Sequence, residues 1–157
     1  MDITLKVEGL RELEAALLAL AEEYGPKAGV QAMRPAVKAA VAPVEAIIQS
    51  TTPVDSGKLA ATTKTRIGKP TGKMLKSEHF NADMVLAARV GWTWGGEQSH
   101  WKQALAQEFG TRKVSGSATL RTAFETNVDN MINDFGATLG PAIEKKAAAL
   151  NKKKLKG

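Results

Sequence analysis

The chain contains no cysteine. Disulfide scaffolds, Cys-ligated zinc, iron–sulfur clusters and thiol catalysis are therefore excluded. Histidine is nearly as scarce, with two in 157 residues; that starves most metal sites and nucleophile–base triads. Aromatic residues make up 5%. No apolar run approaches the ~20 residues of a membrane span. Met1-Asp2-Ile3 lacks the basic and then apolar order of a secretion signal, so the expectation is a protein made in the cytoplasm, with no membrane partner. What remains is an ordinary globular balance of 43% hydrophobic and 24% charged residues. The length fits one domain, since single cores organise about 100–200 residues.

Charge is unevenly placed. The net charge of +6 comes from the last 13 residues, 145–157, which hold six lysines and no acid. The expectation is a single domain over 1–144 followed by a basic arm that frays at Lys152–Lys156. Within the body the signs separate. Residues 1–55 carry five basic and eight acidic groups, residues 56–121 carry eleven basic and four acidic, and residues 122–144 carry four acids and no base. Segregated signs suit docking against copies of the same chain or against neighbours of opposite charge. Solvated charges with no partner are the plain alternative.

Hydrophobic periodicity predicts the elements. Ile3, Leu5 and Val7 alternate with polar residues as a short strand. Leu10, Leu13, Leu17, Leu20 and Tyr24 form one stripe of a helix over 10–24, stopped by Gly25-Pro26. A second helix is predicted over 27–50, with a kink or break at Pro35 and Pro43. Asp55 is placed to cap a short turn containing Lys58, Leu59 and Ala60. Residues 60–67 and 84–92 read as two strands. Their connection, 68–83, is basic and without period, far longer than the hairpin norm of about 2–5 residues; it is expected to be mobile. A short helix over 100–109 is expected to turn Trp101, Leu105 and Phe109 inward, with Gly110 as its cap. Leu120, Phe124, Val128, Met131, Phe135 and Leu139 mark another helix, broken at Gly140-Pro141. The order β-α-α-β-β-α-α makes this an α+β fold, a small antiparallel sheet with helices on one side.

Little of this pattern carries chemistry. Gly68-Lys-Pro-Thr-Gly72-Lys73 is one residue short of a phosphate loop, and Met74 stands where a hydroxyl is required. His79 and His100 lack the spacing that puts two ligands on one helix face. Glu22 and Glu23 sit side by side on an exposed helix end, with no apolar setting to separate their acidities. The residues supply no active site, cofactor site or metal site. Trp92, Trp94 and Trp101 fall within ten positions. They read first as a small core under the sheet, next as an inter-subunit contact, and last as a base-stacking platform.

Thr52-Pro53-Val54-Asp55-Ser56-Gly57-Lys58-Leu59, Val90-Gly91-Trp92 and Glu108-Phe109-Gly110-Thr111 occur in an order that resembles the head–tail joining, neck and tail-completion family of long-tailed bacteriophages (the gp-ten-like family). That family's pattern runs T-P-V-D-[ST]-G-x-L, a strand, a V-G strand end, E-F-G-T, and P-F-L-R-P-A leading into a final helix. Here the last motif reads Ala118-Thr119-Leu120-Arg121-Thr122-Ala123, without the prolines and the phenylalanine. The likeness spans roughly residues 10–135.

The resemblance implies a non-enzymatic virion protein that forms a ring in the neck, six-fold in preference to twelve-fold. Its neighbours would be connector or stopper proteins on one side and tail terminator or tube proteins on the other, with DNA a candidate occupant of the channel. It implies no small-molecule substrate. Pro53, Asp55, Gly57, Leu59, Glu108, Phe109, Gly110, Thr111 and Arg121 are the motif positions, with Phe109 and Arg121 expected to fix the corner between the sheet and the last helix. Lys64, Arg66, Lys69, Lys73 and Lys76 form the expected basic interface, with Trp94 as its buried aromatic. The rival reading is a small basic nucleic-acid-binding protein using the Lys-rich tail and residues 58–76.

Overall fold

In a computed structural model the described residues are 9–53, 57–78, 80–93 and 100–156. The strand expected at Ile3–Val7 lies outside them, as do Asp55, His79 and Trp94. The elements run α1 (Leu10–Tyr24), α2 (Pro26–Thr51), α3 (Lys58–Ala61), β1 (Thr63–Gly68), β2 (Ala87–Trp92), α4 (Trp101–Phe109), α5 (Thr119–Glu125) and α6 (Val128–Lys154). The fold is α+β: a largely helical chain with one two-stranded antiparallel sheet.

α2 is the spine. Ala28, Gly29, Ala32, Ala36, Ala40, Val41, Val44 and Ile48 form its buried stripe. Their small side chains let α1 and α6 approach closely. A Cβ added at Gly29 would already stand 3.4 Å from the Ala21 side chain. Of the kink or break expected at Pro35 and Pro43, the break is absent: the helix is continuous through both. Neither proline lies on the buried stripe, and packing along that stripe outweighs the two lost backbone bonds.

Two apolar clusters divide the spine. Toward the N-terminus of α2, Leu20, Ala28, Ala32 and Ala36 pack with Leu139 and Ile143 of α6; Leu13, Leu17, Phe135, Ala147 and Leu150 surround them. Toward its C-terminus, Val44 and Ile48 pack with Ala123 under Val90, Trp92, Leu120 and Met131. The second cluster seats the sheet on α2 and α5.

α6 corrects two expectations. It does not break at Gly140-Pro141 but runs on to Lys154. Gly140 lies against Leu13, and a Cβ there would stand 3.4 Å from Leu13 Cδ2. Pro141 is exposed, as is Ala137, whose carbonyl loses its helical partner, so water can take that bond. The break falls earlier instead, between Glu125 and Val128. There the buried Asn127 side chain donates to the Ala123 carbonyl at 2.9 Å and ends α5. The lysine-rich segment is likewise not a frayed arm. Residues 145–154 are the last turns of α6: Asn151 accepts a hydrogen bond from the Tyr24 hydroxyl, Lys146 donates to Gln31, and Lys154 lies 3.7 Å from Glu23. Partial burial and the neighbouring Glu23 push the Tyr24 phenol above its ordinary range.

Candidate functional site

Two surfaces meet at the sheet. The first is the outer face of the β1–β2 hairpin. The register pairs Thr63 with Trp92, Thr65 with Val90 and Ile67 with Ala88 on one face, and Lys64 with Gly91, Arg66 with Arg89 and Gly68 with Ala87 on the other. The first set turns toward α2. Thr65 Oγ1 donates to Glu45 Oε2 at 2.5 Å, and the Trp92 indole N–H donates to Thr52 Oγ1 at 3.0 Å. Alternation therefore sends Lys64, Arg66 and Arg89 outward, and all three are exposed. They border a shallow depression of about 220 Å³ with Gly91, Trp92 and Thr93. Among the described residues none of the three has a carboxylate partner.

Lys69, Lys73 and Lys76 lie on the connection beyond β1, also exposed. That connection is not featureless. Leu75 N–H bonds the Thr71 carbonyl and a single 3₁₀ turn forms at Met74–Lys76. The structure thus brings Lys64 and Arg66 together with a residue missing from the expected patch, Arg89. Alternation along 84–92 puts Arg89 on the face opposite Trp92. Only the strand register sets it across from Arg66.

The second surface is an apolar cleft of about 340 Å³ bordered by Leu59, Trp92, Trp101, Leu105, Phe109 and Leu120. Here the expected inward face of α4 is corrected. Trp101 and Leu105 are each 41% exposed and Phe109 is 72% exposed, while the buried residue of the helix is Ala104. α4 is held by a small side chain, so its large ones line an open cleft. Lys102 Nζ sits 5.5 Å from the Trp101 ring centre.

The corner beside this cleft is built by the family-like motifs, though not by the residues expected to fix it. Glu108, not Phe109, ties α4 to α5. Its carboxylate accepts the backbone N–H groups of Leu120 at 2.8 Å and Arg121 at 3.1 Å, capping orphan donors of a helix start. Arg121 takes part through its backbone, and its side chain is exposed. Gly110, at φ 82°, caps α4; a Cβ there would stand 2.5 Å from Gly116 N and 2.7 Å from the Val114 carbonyl. Thr111 closes the turn: its N–H donates to the Val114 carbonyl at 2.7 Å and its Oγ1 accepts the Val114 N–H at 3.1 Å. Gln107 bridges to Ser117 and Thr119. Pro53, Gly57 and Leu59 border the same corner from the other side, facing Gln107 and Thr111. Gly57, at φ 69°, immediately precedes α3. Pro53, Gly57, Leu59, Trp92, Glu108, Phe109, Thr111 and Leu120 thus border one corner.

No protein-family model, curated protein or solved structure matches this chain.

Proposed function

We propose that the protein is a structural virion component of a long-tailed bacteriophage, forming a ring in the neck where head and tail join. The observation that carries this reading is the convergence just described. Three stretches that resemble the head–tail joining family meet through Leu59, Trp92 and Glu108 in one corner, where Glu108 bonds the helix start at Leu120 and Arg121, in the stretch that departs from the family's pattern.

The joint is assigned to the apolar cleft. A closed ring needs two different patches on each subunit, one meeting the other on the next copy. Interface cores are rich in aromatics and depleted of charge. Trp101, Leu105 and Phe109, open along α4 and backed by Trp92 and Leu120, have that composition. The acid-rich segments 1–55 and 122–144 and the basic 56–121 would steer copies into register. The function calls for surfaces and rigidity and for no catalysis.

Native mass spectrometry of the purified full chain tests the joint. The expected result is one discrete closed oligomer, six-fold, that a Leu105→Glu, Phe109→Glu variant loses while its circular dichroism stays unchanged. A wild-type chain that is monomeric up to its solubility limit would overturn the ring, and an oligomer indifferent to the variant would overturn the cleft as its joint.

A further inference from the structure

We infer that the outer face of the hairpin is a binding site for the phosphate backbone of duplex DNA, held by Lys64, Arg66 and Arg89. The inference stands apart from the ring, since a single subunit carries the whole site.

Arg66 and Arg89 are direct cross-strand partners. Like charges directly opposite one another on a sheet destabilise it. An anion seated between them removes that cost. Lys64 is two residues along β1 on the same face, about 7 Å away by strand geometry, which extends the cationic row along the ribbon. Gly91 lies beside them in the depression they border. No carboxylate among the described residues neutralises the row.

The rest of the face decides between a nucleic acid and an acidic protein. Its remaining positions are Gly68, Ala87 and Gly91. Val90 and Trp92 reach the depression only as half-buried side chains of the opposite face, and the Trp92 indole is committed to Thr52; no exposed aromatic or large aliphatic side chain stands on the face to fill a partner's pocket, and such anchors supply most of the energy of protein interfaces. Phosphate backbones need no anchor: cations displace condensed counterions, and that release drives binding. Lys69, Lys73 and Lys76 continue the positive charge beyond β1. No Asn or Gln stands on the face to pair with adenine edges, so the site is expected to hold duplex with little regard to sequence.

The test is fluorescence anisotropy with a labelled duplex of mixed sequence, titrated at several salt concentrations. Two variants of equal charge loss are compared with the wild type: Lys64→Gln, Arg66→Gln, Arg89→Gln on the hairpin, and Lys152→Gln, Lys153→Gln, Lys154→Gln at the end of α6. The hairpin variant should lose at least about tenfold in affinity at low salt, and its log–log salt slope should flatten by roughly 2.7, three contacts at about 0.9 each. The α6 variant should stay near wild type. Equal losses in both variants would mean attraction by net charge alone and would overturn the site. So would undetectable binding, or displacement of the duplex by polyglutamate at equal charge concentration, which would point to an acidic protein instead.

Discussion

The Glu108 carboxylate holds the amides of Leu120 and Arg121, at 2.8 and 3.1 Å, across a gap of a dozen residues. A helix start has four backbone donors with no partner inside the helix. In α5 the cap comes from a side chain on the preceding helix rather than from its own flank, where Ala118 sits at φ 48° and cannot cap. Glu108 thereby helps to orient α4 against α5, together with the Gln107 bonds to Ser117 and Thr119.

Glu108→Ala should therefore destabilise the fold by about 1–2 kcal/mol, the upper part of the range for lost N-caps. Glu108→Gln keeps an acceptor and should cost less. Urea denaturation followed by far-ultraviolet circular dichroism separates the two.

Gly110→Ala is expected to be among the costly single substitutions outside the core. Its φ of 82° lies in the left-handed region, and the added Cβ would meet backbone atoms at 2.5 and 2.7 Å. About 1–3 kcal/mol of strain is the expected scale. Gly72→Ala is the control: nothing lies within 4 Å of its Cβ, and a change within about 0.5 kcal/mol is expected. Thermal melts of the two variants should differ clearly.

Ile48 is 1% exposed at the centre of the cluster beneath the sheet. Ile48→Ala should cost about 2–5 kcal/mol, transfer and cavity terms together. Trp92→Phe, in the same cluster, removes the indole bond to Thr52 together with part of the ring's packing, and should cost about 1–2 kcal/mol. A reversed order of these two midpoints would mean that the sheet, not α2, anchors this end of the molecule.

The exposed cations at the end of α6 should matter little to stability. Lys154 and Glu23 are 3.7 Å apart with most of their side-chain surface in water. Such pairs contribute about 0–1 kcal/mol. Lys154→Gln should leave the denaturation midpoint nearly unmoved and insensitive to added salt.

Periodicity made much of this fold legible. The stripe from Leu10 to Tyr24 set α1 to the residue, and the alternation around Val90 marked β2. What local reading missed was decided by contacts distant in sequence. Pro141 looked like a stop because nothing nearby reveals that α6 is held along α2 and α1 beyond it. Asn127, the true break, carries its signal in one buried side-chain bond. Phe109 looked like a core residue by type, but burial of α4 falls to Ala104. The candidate site was half legible. Lys64 and Arg66 were named from charge, whereas Arg89 joined them only through the register of two strands separated by a long connection. Glu108 stood in a noticed motif, yet its role appears only where the chain returns at Leu120.

The proposed place in the neck of a virion is open to direct test by gold-labelled antibody against the chain, applied to purified particles of a phage whose genome carries this sequence. Label is expected at the head–tail junction, with the chain among the particle's proteins by mass spectrometry. Purified infectious particles that lack the chain, or label spread along the tail tube, would contradict it.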